Sequence, residues 1–212
     1  RVGRSPTSPK PLGGAIDGDG GEKGGRFLQL CDAYGLPVIS LCDTPGFMVG
    51  PDSEKTAAVR RGSRLIMASA NLSVPLFTVI VRKGYGLGAQ AMAGGSFHEP
   101  FCTIAWPTAD LGPMGLDGAV ELGFSKDRAA AANPAERDAL YEQLVARMYA
   151  KGKAVSVATA FALEAVIHPA DSRTGSLRRR PAARTRHRDR RRSAVRRAAA
   201  APQPPVRPPR AF

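Results

Sequence analysis

Three short runs of apolar residues constrain the fold of this chain more than any other feature of its sequence. They cover residues 38–42, 76–81 and 102–106, and each directly adjoins a proline. Continuous apolar runs of this length suit parallel strands that are covered on both faces, whereas strands with one wet face alternate polar and apolar residues. The runs therefore predict a buried parallel sheet.

A helix is expected between the first two runs, over about 54–70. Asp52 or Ser53 can serve as its N-cap, because a side-chain oxygen there can accept a hydrogen bond from the first turn. The residues predicted to lie on one side of this helix share a helical spacing: Val59, Gly62, Leu65, Ile66 and Ser69. Two strands joined by such a helix form a β-α-β unit.

The clearest helix start in the chain is Asn133, followed by Pro134 and then by Glu136. An N-cap side chain, a proline at the first helical position and an acid at the third position favour a helix. We expect this helix to end near Gly152 and a shorter one to cover about 154–163. The alternation of strands and helices predicts an α/β domain with a layered sheet and helices.

The segment 17–34 has a helical pattern that its glycines oppose. Five glycines lie between residues 18 and 25, and each glycine inside a helix costs about 1 kcal/mol relative to alanine. We expect this helix to be weak unless tertiary packing holds it.

All of the excess positive charge lies at the end of the chain. The net charge is +13, yet residues 1–172 contain 17 basic and 17 acidic residues, while residues 173–212 contain 14 arginines and one acid, Asp189. A segment so rich in Arg, Pro and Ala buries too little apolar surface to fold. We predict a disordered basic tail over 174–212. A tail that binds nucleic acid is the less favoured alternative, because clustered arginines also bind phosphate backbones.

Cysteine usage and hydropathy place few demands on the protein. Cys31, Cys42 and Cys102 are odd in number and widely spaced, which is typical of reduced core cysteines. The sequence has no zinc-ligand or metalloprotease motif, so we expect no metal. No apolar run approaches the length of a membrane span and no signal peptide is recognisable, so we expect a cytoplasmic protein. Because residue 1 is Arg and not Met, we also expect sequence upstream.

Glycine-rich loops follow the three predicted strands. Backbone N–H groups of a strand-to-helix turn can point together at an anion, so the loop at 82–89 is a candidate oxyanion hole. Its glycines lack the GxGxxG spacing of dinucleotide-binding proteins. For each loop alone, a purely structural turn is an open alternative. Because ligands of α/β sheets bind at the carboxyl ends of the strands, we expect the three loops to converge on one edge.

Seven segments in one register resemble the carboxyltransferase subunits of biotin-dependent acyl-CoA carboxylases, of the propionyl-CoA and acetyl-CoA carboxylase β type. The segments are 12–17, 27–37, 41–51, 82–89, 105–107, 114–120 and 168–173. Members of that family have two crotonase-like domains, and the resemblance covers only the second. It implies a C-terminal carboxyltransferase domain over 9–173, preceded by a poorly matching stub at 1–8. Because the family pattern stops after Arg173, we predict that the tail 174–212 arises from a frameshift.

The resemblance also implies a reaction and its site. Carboxybiotin would give its carboxyl group to the α carbon of an acyl-CoA thioester, and the backbone N–H groups of Gly88 and Ala89 would form the oxyanion hole for the biotin ureido oxygen. The residues implied to line the biotin and substrate pocket are Thr44, Pro45, Gly46, Phe47, Tyr85, Gly86, Met114 and Gly115. The hole for the thioester would lie in the other domain, so we expect the chain to be inactive without it.

Three kinds of partner follow from the same resemblance. They are a biotin carboxyl carrier or biotin carboxylase subunit, the N-terminal carboxyltransferase domain, and further copies of the chain. The alternative is another crotonase-type CoA enzyme, a hydratase or a decarboxylase.

Overall fold

A six-stranded parallel sheet organises this computed structural model, in which residues 2–6, 12–160 and 162–172 are described. Five strands follow the order β1-β2-β3-β4-β6, and β5 pairs with β3 beside them. Their bounds are β1 Gly3–Pro6, β2 Val38–Thr44, β3 Leu76–Tyr85, β4 Cys102–Ala105, β5 Asp110–Gly112 and β6 Ala165–Val166. The predicted parallel sheet and α/β class are confirmed. The predicted tail 174–212 lies outside the described residues.

Eight α-helices accompany the sheet within those described ranges. They are α1 Gly18–Ala33, α2 Pro51–Lys55, α3 Ala58–Ala70, α4 Gly86–Met92, α5 Leu116–Gly123, α6 Ser125–Ala129, α7 Pro134–Gly152 and α8 Ala154–Thr159. The chain therefore runs from strand to helix to strand through β2, α3 and β3, as the sequence predicted.

The centre of the sheet is the pairing of β2 with β3. The register runs from Val38 opposite Leu76 to Cys42 opposite Ile80, and then shifts so that Thr44 lies opposite Gly84. The first five residues of β3 are all buried, whereas β2 alternates buried and half-buried residues. The expectation of full burial on both faces therefore holds for the start of β3 and for β4, but not for β2.

Helix α1 forms without interruption over Gly18–Ala33, because its glycines let its backbone approach that of α3 closely. A Cβ atom on Gly21 would lie 2.9 Å from Cα of Gly62, and one on Gly25 would lie 3.1 Å from the carbonyl oxygen of Arg64. Arg61 of α3 also bonds Asp19 and Glu22 of α1. Packing thus offsets the low helix propensity that led us to expect a weak helix.

The predicted helix over 54–70 is wrong in three respects. Ala57 has a φ of 57° and separates α2 from α3. Gly50, and not Asp52 or Ser53, is the N-cap of α2, and Pro51 occupies its first position. Val59, which we placed on the packed side, is 72% exposed.

Helix α7 begins as predicted. Oδ1 of Asn133 accepts a hydrogen bond from the N–H of Glu136 at 2.8 Å, and the Glu136 carboxylate accepts one from the N–H of Ala132 at 3.0 Å. The first bond satisfies an N–H group that a helix start otherwise leaves unpaired, and the second holds the residue before the N-cap against the first turn. The shorter helix predicted over 154–163 ends at Thr159.

The three cysteines are reduced and buried, as expected. Burial raises the pKa of the Cys42 thiol to about 12. In the ranges that the structure describes, no group of three or more metal-ligating side chains is assembled. None of the helices in those ranges is both long and apolar enough to span a membrane.

We predict opposite effects for the same substitution at two helical glycines. Gly21→Ala should lower the free energy of unfolding by about 1–3 kcal/mol, because its Cβ would press on the α3 backbone. Gly118→Ala, in α5, should raise it by up to about 1 kcal/mol, because nothing lies within 4 Å of the added atom. Urea unfolding of the 212-residue chain measures both, and an equal effect at the two sites would contradict the close packing of α1 and α3.

Candidate functional site

The loop after β2 is held in shape by its own hydrogen bonds. The buried hydroxyl of Thr44 accepts from the N–H of Gly46 and donates to the carbonyl of Gly46, both at 3.1 Å. The N–H of Ile16 donates to the same carbonyl at 2.9 Å, and the N–H of Met48 donates to the Ile16 carbonyl at 2.8 Å. The loop is thereby fixed from both sides.

The turn from β3 into α4 lies directly against that loop. Gly86 opens α4 with a φ of 59°, a conformation that residues with a Cβ rarely adopt. A Cβ on Gly88 would lie 2.7 Å from the carbonyl carbon of Gly46 and 3.0 Å from the N atom of Phe47. Only glycine therefore allows this backbone-to-backbone approach.

The third loop reaches the same place through β5. This strand pairs with the last residues of β3, so that Tyr85 lies opposite Gly112. The following carbonyl oxygen, that of Pro113, would lie 2.9 Å from a Cβ on Gly86. The predicted convergence of the three loops on one edge is confirmed.

The predicted site residues differ in exposure. Thr44, Gly46, Tyr85, Gly88 and Ala89 are buried, whereas Met114 is 39% exposed. The remaining predicted residues, Pro45, Phe47, Gly86 and Gly115, are half-buried.

Two of the predicted residues have structural contacts of their own. The Phe47 ring lies 3.1 Å from the position of a Cβ on Gly62, so it packs against α3. Gly115 is the N-cap of α5.

Gly88 and Ala89 are the third and fourth residues of α4. Because the first N–H groups of a helix have no acceptor inside it, the N–H of Gly88 is directed out of the first turn.

Sequence reasoning missed three residues that build this edge. Ile16 closes the loop after β2, Asp110 begins β5, and the Pro113 carbonyl faces Gly86. An acid between the apolar residues Ala109 and Leu111 is the one local signal that could have drawn attention to Asp110.

An acidic side chain joins β2 to β3 just below the loops. Oδ1 of Asp43 accepts hydrogen bonds from the N–H of Lys83 at 3.1 Å and from Nε of Arg82 at 3.2 Å. Its Oδ2 lies 3.1 Å from a guanidinium nitrogen of Arg82. Asp43 thus fixes the two strands at the point where their register shifts.

The described histidines do not form a hydrolytic site. His98 and His168 are exposed. The N–H of His98 bonds the Ser96 hydroxyl at 3.3 Å, and the His168 ring accepts from the N–H of Ala170 at 3.3 Å. These are local turn contacts. His187 lies outside the described residues.

We predict a loss of stability at alkaline pH that depends in part on Tyr85. Burial, and then the neighbouring Asp110, raise the pKa of Tyr85 to about 12 from its ordinary value of 10.0. The fold favours the neutral phenol, so its contribution is complete below about pH 10 and is lost progressively as pH rises from about 10 to about 12. Tyr85→Phe should therefore lose less unfolding free energy than the unsubstituted chain between pH 8 and 11.

Urea unfolding at the two pH values measures this difference. Tyr34→Phe is the matched control, because Tyr34 is 77% exposed. Equal losses in the two variants would contradict the assignment to Tyr85.

Comparison with known proteins identifies a family and related sequences. Residues 2–198 match the family described as "Carboxyl transferase domain". The propionyl-CoA carboxylase beta chain of Saccharopolyspora erythraea is 41% identical over 147 residues, which are 69% of this chain and 26% of that protein. The family match extends beyond Arg173, while the division into 1–8, 9–173 and 174–212 stays a prediction.

Two solved structures extend the similarity to the fold. A single-chain, multi-domain long-chain acyl-CoA carboxylase matches with a TM-score of 0.74 and 55% identity, over 84% of this chain and 17% of that one. The transcarboxylase 12S hexamer, with methylmalonyl-coenzyme A and methylmalonic acid bound, matches with a TM-score of 0.74 and 28% identity, over 100% of this chain and 37% of that one. The chain spans between 24% and 40% of the length of the curated relatives that it matches. The predicted crotonase-like fold is confirmed.

Proposed function

This chain belongs to the carboxyl transferase domain family, and from that membership and its loop geometry we propose that it is the biotin-facing half of an acyl-CoA carboxylase carboxyltransferase. Its reaction would be the transfer of a carboxyl group from carboxybiotin to the α carbon of an acyl-CoA. The relative from Saccharopolyspora erythraea is a propionyl-CoA carboxylase beta chain. A transferase of the same class is the activity that these residues support best.

The observation that carries this proposal is the contact between Gly88 and the loop at Gly46. A site for a polar, uncharged ring needs donors that hold their direction without bringing a charge. Peptide N–H groups in a rigid turn meet that need, because they require no reorganisation when negative charge develops on an oxygen. The glycines allow a close backbone contact that any Cβ would break.

When bound, carboxybiotin would supply the carboxyl group and a ureido oxygen on which negative charge develops. The chain's own part is to stabilise that oxygen with the N–H groups of Gly88 and Ala89 at the start of α4. Thr44, Pro45, Gly46 and Phe47 would form one wall of the pocket. Tyr85, Gly86, Met114 and Gly115 would form the other.

The second substrate and the partners belong to the same proposal. A coenzyme A thioester needs its own oxyanion hole, which we assign to the N-terminal half of the carboxyltransferase. A biotin carboxyl carrier would deliver the carboxylated cofactor. Assembly into an oligomer is proposed because transcarboxylase 12S forms a hexamer. A cytoplasmic location also stays a prediction.

Reconstitution tests the proposed function. The 212-residue chain is assayed with carboxybiotin and propionyl-CoA, alone and after mixing with the N-terminal half of the Saccharopolyspora erythraea relative, with that half alone as the control. We expect carboxylated product only from the mixture, because each half would supply one oxyanion hole. No product in any sample would contradict the carboxyltransferase assignment, and product from the chain alone would contradict its dependence on the other half.

Replacing one backbone N–H tests the oxyanion hole. An ester bond at Ala89, introduced with the α-hydroxy analogue of alanine, removes the N–H and keeps the side chain. We expect kcat of the reconstituted mixture to fall by about 100- to 1,000-fold, the usual cost of losing one oxyanion-hole donor. The same ester at Ala91, further along α4, is the control. Equal losses at both positions would mean that helix damage, and not the hole, explains the effect.

A further inference from the structure

We infer that Asp110 and Lys153 are positioning residues, which hold β5 in place and thereby keep the Gly86 turn in the shape needed for its proposed role. Neither residue takes part in the contacts of Gly88 with Gly46 or of Gly86 with Pro113. The inference rests on the proposed function only for its catalytic consequence, because the structural effect can be measured on the chain alone.

The end of α7 is packed tightly onto β5. A Cβ on Gly152 would lie 2.8 Å from the carbonyl oxygen of Leu111 and 3.1 Å from the Leu116 side chain. Lys153 follows directly and bridges Asp110 in antiparallel fashion, and the N–H of Ala154 donates to the Ala109 carbonyl at 2.9 Å. A shift of this helix end must therefore shift β5.

Strand β5 in turn determines the position of the glycine turn. Asp110 pairs with Lys83 and Gly112 pairs with Tyr85, the residue before Gly86. The Pro113 carbonyl, one residue beyond β5, faces Gly86 at the distance where a Cβ would clash. A continuous path of backbone contacts thus joins α7 to the start of α4.

The charge at the start of this path is poorly compensated. Among the described residues, Oδ1 of Asp110 is buried and has no hydrogen-bond partner. The Lys153 ammonium lies 3.8 Å from it, and the Asp110 side chain is only 19% exposed. The Lys153 side chain is 60% exposed, so the pair is only partly buried. Removing the ammonium leaves the buried Oδ1 without this counter-charge, whereas removing both charges does not. Lys153 therefore matters chiefly because Asp110 is charged.

A set of substitutions separates this role from ordinary stabilisation. In Lys153→Met, amide hydrogen exchange of the 83–89 segment should rise about tenfold while exchange in α1 and α3 stays unchanged, because only the local path opens. Lys153→Arg keeps the charge and should behave as the unsubstituted chain does. The double variant Asp110→Asn, Lys153→Met should return most of the lost protection. Lys151→Met, at an exposed position in the last turn of α7, is the matched control.

The reconstituted assay gives the second measurement. For Lys153→Met we expect kcat to fall about 10- to 100-fold with little change in the KM for the acyl-CoA, since misplacing a catalytic group by about 1 Å can cost about 100-fold. The double variant should recover most of this loss.

Several outcomes would overturn the inference. They are a Lys153→Met variant that matches Lys151→Met, a rise in exchange that is equal in α1 and α3, and a double variant that is no better than Lys153→Met. If the unsubstituted mixture makes no product, the proposed function fails, while the exchange data still decide whether Asp110 and Lys153 position the turn.

Discussion

The close approach of backbone to backbone at Gly88 and Gly46 is the constraint on which the rest of the site depends. Two peptide segments can come this near only where no Cβ intervenes. The loop after β2 must then be rigid, and the Thr44 hydroxyl and the Ile16 backbone make it so. The parallel pairing of β2 and β3 delivers both segments to the same edge.

The same device recurs between α1 and α3. Glycine weakens an isolated helix, yet at Gly21 it lets the helix axis come near enough for its backbone to meet that of Gly62. Dispersion contacts between closely packed elements are individually small and collectively large. Local cost and tertiary gain therefore fall on the same residue, which is why the strength of α1 cannot be estimated from its own segment.

Much of the sheet could be predicted from the sequence because its central strands are continuous apolar runs. Strands β1, β5 and β6 were missed, since they have only four, three and two residues and carry no such pattern. Helix α7 was predicted because Asn133 and Glu136 form a local cap. The break between α2 and α3 was not, because nothing in the residue type of Ala57 signals its left-handed conformation.

The candidate site, like the fold, was predicted only in part. Its loops were predicted because glycines after strands are a local signal, and their meeting at one edge follows from parallel strand topology. Asp110 and the Pro113 carbonyl were missed, since their positions depend on the pairing of β5 with β3 and on the end of α7. A contact between segments about 40 residues apart is not encoded in either segment.

A site lined by glycine at its closest contacts has an unusual relation to mutation. Every amino-acid substitution at Gly86 or Gly88 adds at least a Cβ atom at a place where backbone atoms already lie within 2.9 Å. No amino acid is smaller than glycine, so neither position has a conservative substitution that could be accepted during evolution. At these two positions the backbone contacts can therefore only be kept or lost.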